Sequence, residues 1–310
     1  MTYLNAEGCN MKDSFAPAAG VNENLYSDTR GLVSDPVPFT KAVIDGLAHG
    51  GGLYVPAHVP TLSIDEICSL AEMPYSKRAA TVYRAFGVDL PTERIEALME
   101  SAYGDQFDDE RICPITSLDE NTHVLELWHG PTSAFKDMAL QCLPRFFSAS
   151  AEALRERGEL DHDFLILVAT SGDTGKAALE GFKNAEHVRI GVLFPDGGVS
   201  DIQRKQMVTT TGDNVQVWGV RGNFDDCQTG VKNVFSDEAY AEKLLSEHNV
   251  TLSSANSINW GRLMPQIVYY ISSYAELVAK GKVEAGKPID VCVPTGNFGN
   301  ILAAWYAKRM

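Results

Sequence analysis

The chain has 310 residues, 45 % of them hydrophobic and 22 % charged, with a formal net charge of −15. This length suggests about two domains, and the balance is that of an ordinary soluble globular protein. The negative field argues against nucleic acid or an anionic membrane as a partner, and apolar runs such as FLILVA at 164–169 are too short to cross a bilayer.

Residues 1–24, rich in Ala, Gly and Asn, have no clear period and read as a flexible leader; no basic region followed by an apolar run marks a secretory signal. Residues 25–112 read as a mostly helical N-terminal domain. SIDEICSLAEM (63–73) and PTERIEALMESAY (91–103) carry apolar residues at helical spacing, with Ser63 and Thr92 as N-caps. After residue 112 the rhythm becomes that of an α/β region running to 310. HVLELW (123–128) reads as a strand, followed by a helix over 137–157. DFLILVAT (163–170), VRIGVLF (188–194), NVQVWGV (214–220), VTLSSA (250–255) and IDVCVP (289–294) read as further strands alternating with helices. One helix runs through about residue 247 and another begins near 263–265. Strands that are apolar throughout and alternate with helices indicate a parallel sheet covered on both faces.

Six cysteines, at 9, 68, 113, 142, 227 and 292, form no C-x-x-C pair, and the seven histidines form no H-x-x-x-H pair. Buried free thiols, a cytoplasmic location and no metal are the expectations.

Ligands of an open parallel sheet bind beyond the carboxyl ends of its strands. Two glycine-containing loops fall there: Thr170–Gly175 (TSGDTG) and Thr295–Asn300 (TGNFGN). Either could serve only a tight turn; two in one sheet favour a ligand with two anionic groups, or two anionic ligands. SGDTGKA lacks the first glycine and the Ser/Thr of a P-loop, no G-x-G-x-x-G follows a strand, and HGGG at 49–52 has no G-x-S-x-G nucleophile elbow to serve. Lys136 stands near a helix start between Phe135 and Met138. Apolar surroundings favour the neutral amine that condenses with an aldehyde, although a surface lysine covering apolar area has the same pattern. A phosphorylated aldehyde, pyridoxal phosphate, would use both the lysine and a glycine loop. SSANSINWGR (253–262) gathers neutral donors and Arg262 before a helix, as an anion site or a solvated capping loop.

HGPTSAFKD (129–137), TSGDTGKAA (170–178), SSANSINWGRLMPQIVYY (253–270) and VPTGNFGN (293–300), in that order, resemble threonine synthase, of the tryptophan-synthase-β-like, fold type II pyridoxal-phosphate enzymes. YSDTRG (26–31) and GGLYVP (51–56) add weaker matches. Asp28 stands where the first of these usually has Ser, and Thr295 replaces a frequent Ser. The resemblance implies an α/β fold type II architecture and the conversion of O-phospho-L-homoserine and water to L-threonine and phosphate, a carbon–oxygen lyase reaction. Lys136 resembles the lysine that forms the Schiff base with the cofactor. Gly296, Asn297, Phe298, Gly299 and Asn300 resemble the cofactor-phosphate loop. Ser171, Gly172, Asp173 and Thr174 resemble the loop facing the substrate carboxylate, with Asp173 where relatives often place an Asn beside the cofactor's ring oxygen. Ser257, Asn259 and Arg262, helped by Arg30, are the candidates for the substrate phosphate. Family members continue beyond the position of Met310 by roughly a further domain, so the C-terminal part is expected to be missing here. The expected partner is the small-molecule substrate, with the chain a monomer or homodimer. The alternatives are another fold type II enzyme (a threonine dehydratase or a β-replacement synthase) or a truncated, non-catalytic relative that binds phosphate metabolites.

Overall fold

The computed structural model describes residues 24–32, 35–48, 51–256, 259–294 and 298–310. Apart from Asn24, the expected leader lies outside these residues. In the N-terminal region a two-stranded antiparallel ribbon, β1 (Tyr26–Asp28) with β2 (Tyr54–Pro56), brackets helix α1 (Phe39–Asp45). Helices α2 (Ile64–Ser69), α3 (Tyr75–Ala85) and α4 (Thr92–Ala102) follow. Ser63 caps α2 in a full capping box with Glu66, which satisfies two otherwise orphaned amides. Thr92 does not cap α4. Pro91 occupies the N-cap position in extended conformation, as Pro38 and Pro74 do before α1 and α3. Proline has no N–H to satisfy at a helix start, and its fixed φ suits the entry.

A second ribbon, β3 (Ile115–Ser117) with β4 (His123–Leu125), stands apart from the main sheet, so only half of the run expected as a strand over 123–128 is one. The helix expected over 137–157 is two helices, α5 (Asp137–Leu140) and α6 (Leu143–Glu156). Pro144, in the first turn of α6, cannot donate back to Leu140.

The main sheet is built from β5 (Asp163–Ala169), followed by α7 (Asp173–Phe182); β6 (Val188–Pro195), followed by α8 (Asp201–Val208); β7 (Val215–Val220), followed by α9 (Phe224–Ser236) and α10 (Glu238–His248); and β8 (Val250–Ser253). Asp237 ends α9 and caps α10 through the Tyr240 amide, which divides the single helix expected there. All pairs are parallel, in the order β7-β6-β5-β8. The chain steps outward from β5 to β7, then returns to lay β8 on the other side of β5. The order therefore reverses between β5 and β8, and the crevice beyond their carboxyl ends is where such a sheet takes a ligand.

Helix α11 (Trp260–Ala279) starts three residues earlier than expected and is buried along most of its length; α12 (Gly299–Arg309) packs against it. Trp260 lies against Tyr26, Phe86 and Tyr306, with ring centroids 5.2 to 5.7 Å apart, so residues from both ends of the chain meet on α11. Residues 289–294, expected as a strand, pair with none of the described strands, and Val291 is half exposed. An apolar run becomes a strand only where a neighbouring edge offers hydrogen bonds and a face to cover. Cys292 on this segment is accordingly exposed, against expectation, whereas Cys113, Cys142 and Cys227 are buried free thiols. Among the described residues no helix is long and apolar enough to cross a membrane, and no group of side chains forms a metal cluster.

Candidate active site

The turn that presents Lys136 is wound around a buried carboxylate. Asp137, with no exposed surface, accepts hydrogen bonds from the Thr132 amide at 2.8 Å and the Thr132 hydroxyl at 2.6 Å. Burial raises its pKa against the opposing effect of these donors. Gly130 is required beside it, because a Cβ there would lie 2.5 Å from that of Asp137. From α7, the buried Lys176 ammonium donates to the Thr132 carbonyl at 2.6 Å and ties the turn to the helix after β5. A cleft of about 230 Å³ borders the same turn and is lined by Lys176, Glu180, Lys183 and Gln206, without Lys136.

Lys136 follows directly on this turn and opens α5. Its side chain is 18 % exposed, with Nζ 3.7 Å from Asp173 Oδ2 and 4.7 Å from the centre of the Phe135 ring. Burial holds the amine below the usual lysine range; Asp173 opposes this, while the charges of Arg262 and Lys176 add to it. The expected surface alternative for this lysine therefore does not describe it.

Asp173 is the first residue of α7. The loop before it is locked by Thr170, whose Oγ1 accepts from the amides of Gly172 and Gly175, both at 3.0 Å. A Cβ on Gly175 would come within 2.5 Å of the Thr170 methyl. Ser171 is exposed, Gly172 buried, and Asp173 and Thr174 half-buried. Gln203 of α8 donates its Nε2 to Asp173 Oδ1 at 3.0 Å.

Beyond β8, Asn259 is fully buried. Its Oδ1 caps α11 through the Gly261 amide at 2.8 Å, and its Nδ2 donates to the carbonyls of Val43 and Ser254 at 2.9 and 3.2 Å. Both of its amide hydrogens are thus committed to the backbone. Arg262, one turn into α11, is 5 % exposed and donates Nη1 to the Ala255 carbonyl at 3.0 Å. Its Nε is buried without a hydrogen-bond partner, and no carboxylate pairs with it among the described residues. Burial pushes this guanidinium down to about 10. A buried, uncompensated cation is costly, so an anion that reaches it gains the whole interaction.

Ser257, Gly296 and Asn297 lie outside the described residues. Phe298 is exposed, with a left-handed φ of 59°, and precedes Gly299 at the start of α12. The Asn300 carboxamide oxygen accepts from the hydroxyls of Tyr269 and Tyr270, which leaves its NH2 as a donor. Arg30, at the end of β1, is exposed with its guanidinium against Gly51.

An ion pair thus joins Lys136 to Asp173 at the crevice between β5 and β8, and Arg262, from a third chain segment, acts on the amine through its charge. Thr132, Asp137, Thr170, Lys176 and Gln203 support them and were not singled out as site residues from the sequence. Thr132, Asp137, Thr170 and Lys176 do stand inside the motifs HGPTSAFKD and TSGDTGKAA, whereas the one signal at Gln203, the S-x-x-Q pattern of a capping box, says nothing of its reach to Asp173.

A family model described as the N terminus of threonine synthase matches residues 25–103. Human threonine synthase-like 1 is 44 % identical over 280 residues, an alignment that covers 88 % of this chain and 37 % of that protein. Threonine synthase of Pseudomonas aeruginosa is 40 % identical over 286 residues, covering 92 % of this chain and 57 % of that one. Among solved structures, pyridoxal-phosphate-bound threonine synthase from Brucella melitensis superposes with a TM-score of 0.82 at 40 % identity, covering 93 % of this chain and 58 % of its own. The yeast enzyme gives 0.82 at 32 % identity. The chain therefore spans between about a third and three-fifths of the length of these relatives.

Proposed function

Because this chain belongs to the threonine synthase family and has its fold type II architecture, we propose that it binds pyridoxal 5′-phosphate at Lys136 and acts on O-phospho-L-homoserine, with water, to give L-threonine and phosphate. The single observation that carries this reading is a desolvated amine at the sheet's switch point, Lys136 Nζ 3.7 Å from Asp173 and held below the usual lysine range by burial first and by the charge of the buried Arg262 second.

The residues fit the cofactor. Lys136 has the depressed amine that an aldehyde needs. The amino end of α12, with Gly299 and the free NH2 of Asn300, suits a phosphate. Gly296, Asn297 and Phe298 complete that cradle in this reading. When bound, pyridoxal phosphate supplies the electron sink that lets an amino acid lose its Cα proton.

The chain's own groups do the rest. The Lys136 amine takes and returns the proton at Cα. Asp173 keeps the ammonium form of Lys136 within reach while the proton is held. The exposed Ser171 hydroxyl, with Gly172 and Thr174 at the amino end of α7, orients the substrate carboxylate. Arg262 holds the substrate phosphate and stabilises it as it leaves the Cγ position, while Asn259 fixes the start of α11 so that the guanidinium keeps its place. Ser257 and Arg30 are further candidates for the same phosphate.

The test is a spectrum and a product assay. The purified chain with added pyridoxal phosphate should develop a visible band that borohydride traps on Lys136, and Lys136→Ala should lose the band while staying folded. Phosphate should be released from O-phospho-L-homoserine. A band without phosphate release from this substrate would move the reading to another fold type II activity. No band in a folded chain would overturn it. The 44 % identity to a protein called threonine synthase-like favours, as the second reading, a relative that binds phosphorylated metabolites without this turnover; binding of O-phospho-L-homoserine with no product would support it.

A further inference from the structure

We propose that Gln203 is a positioning residue for Lys136, acting through Asp173: its carboxamide holds the Asp173 carboxylate in the one orientation that faces the Lys136 amine. This deepens, and rests on, the reading that Lys136 is the reacting amine. The two ends of the Gln203 carboxamide are distinguished by what they meet. Oε1 accepts from the Ser200 amide in the capping box of α8, at 3.4 Å, which leaves Nε2 to donate to Asp173 Oδ1 at 3.0 Å. The other carboxylate oxygen, Oδ2, then lies 3.7 Å from Lys136 Nζ. Gly172 makes the approach possible, because a Cβ there would stand 2.7 Å from Gln203 Nε2.

The Asp173 side chain is 42 % exposed, so without a partner its carboxylate would turn into water, as exposed carboxylates do. Apart from Lys136 itself, no other side-chain donor to Asp173 is seen among the described residues. The remaining groups that face the amine, Arg262, Lys176 and the Phe135 ring, include two cations that disfavour its charge. The Asp173 carboxylate is the anion that opposes them, and Gln203 decides whether it is in place. A neutral carboxamide is suited to this because it donates to the carboxylate without neutralising it, which a lysine or arginine would do.

The experiment reads the amine itself, in the protein without added cofactor. Lys136 is labelled with acetic anhydride across an alkaline pH series and quantified by peptide mass spectrometry against the exposed Lys282. Removing the carboxylate's hold lowers the affinity of the amine for its proton. Gln203→Met, close in volume, should therefore shift the Lys136 profile to lower pH and speed labelling roughly threefold on its rising limb. Gln203→Ala and Asp173→Asn should act in the same direction. Gln203→Met should add nothing in the Asp173→Asn background, because the two act as one unit. Ser200→Ala frays the same cap but should leave the profile where it is. An unshifted profile in folded Gln203→Met, or additive shifts in the double variant, would overturn the proposal, as would a Ser200→Ala profile that moves with Gln203→Met. The labelling needs no cofactor, so the two failures are told apart: a shift as expected with no visible band on adding pyridoxal phosphate would sink the functional reading while leaving the hold of Gln203 on Asp173 and Lys136 demonstrated.

Discussion

The carbonyl of Leu140 lies where a side chain at Gly181 would have to be: a Cβ on Gly181 would fall 1.9 Å from that oxygen. The oxygen belongs to the last residue of α5, whose helix cannot continue because Pro144 has no amide to return to it. Glycine on α7 lets the two backbones touch, and so sets how close the lysine-bearing turn stands to the loop after β5. Gly181→Ala should cost about 3 kcal/mol of stability, measured by denaturant unfolding, and should weaken pyridoxal phosphate binding. A loss indistinguishable from zero would mean that α5 and α7 separate easily.

Thr170 stands in for a helix cap that the chain lacks at Gly172. Its hydroxyl oxygen takes two backbone amides, so Thr170→Val, which keeps the shape and loses that acceptor, should cost about 2 kcal/mol. Thr170→Ser should recover most of it. Chemical denaturation of both variants checks the pair.

Arg262 should make phosphate a stabilising ligand. Inorganic phosphate at about a hundred times its dissociation constant would add about 2.7 kcal/mol, visible as a rise in Tm that sulfate partly reproduces and chloride does not. Arg262→Gln should abolish the rise while the protein still folds, since a neutral side chain there removes a buried, uncompensated charge. An equal rise in the variant would place the anion elsewhere.

Lys136 should make stability depend on alkaline pH. Its native pKa is below the ordinary lysine value of 10.5 because burial disfavours the ammonium. Between the native value and 10.5 the unfolded chain therefore binds more protons, and unfolding free energy rises with pH. Below the native value the penalty is fully present; above 10.5 it has vanished. Lys136→Met should be the more stable protein at neutral pH, and its unfolding curves should lose that upward trend. A slope in the variant equal to that of the wild type would assign the trend to other groups.

Much of the fold was legible because it depends on local chemistry. The apolar runs at 163–170, 188–194 and 214–220 became β5, β6 and β7 almost to the residue, and Ser63 with Glu66 announced the start of α2. The errors share a cause. Residues 289–294 have the composition of a buried strand and find no edge to pair with among the described residues. The helix over 137–157 has the right period, but Pro144 breaks its hydrogen-bond ladder. Thr92 has the chemistry of a cap, but the backbone turns at Pro91 instead.

The sequence by itself determined the apolar strands β5, β6 and β7, which loops carry glycine beside a helix start, and that one lysine stands among apolar neighbours. Those properties belong to stretches of a few residues, where covalent geometry and side-chain type decide. Only the tertiary structure decided that β8 returns to the far side of β5, so that loops more than eighty residues apart in sequence flank one crevice. It alone set Gln203 on Asp173 and left Arg262 without a carboxylate among the described residues. Hydrogen bonds and desolvation act over a few ångströms of space, and separation along the chain does not report that distance.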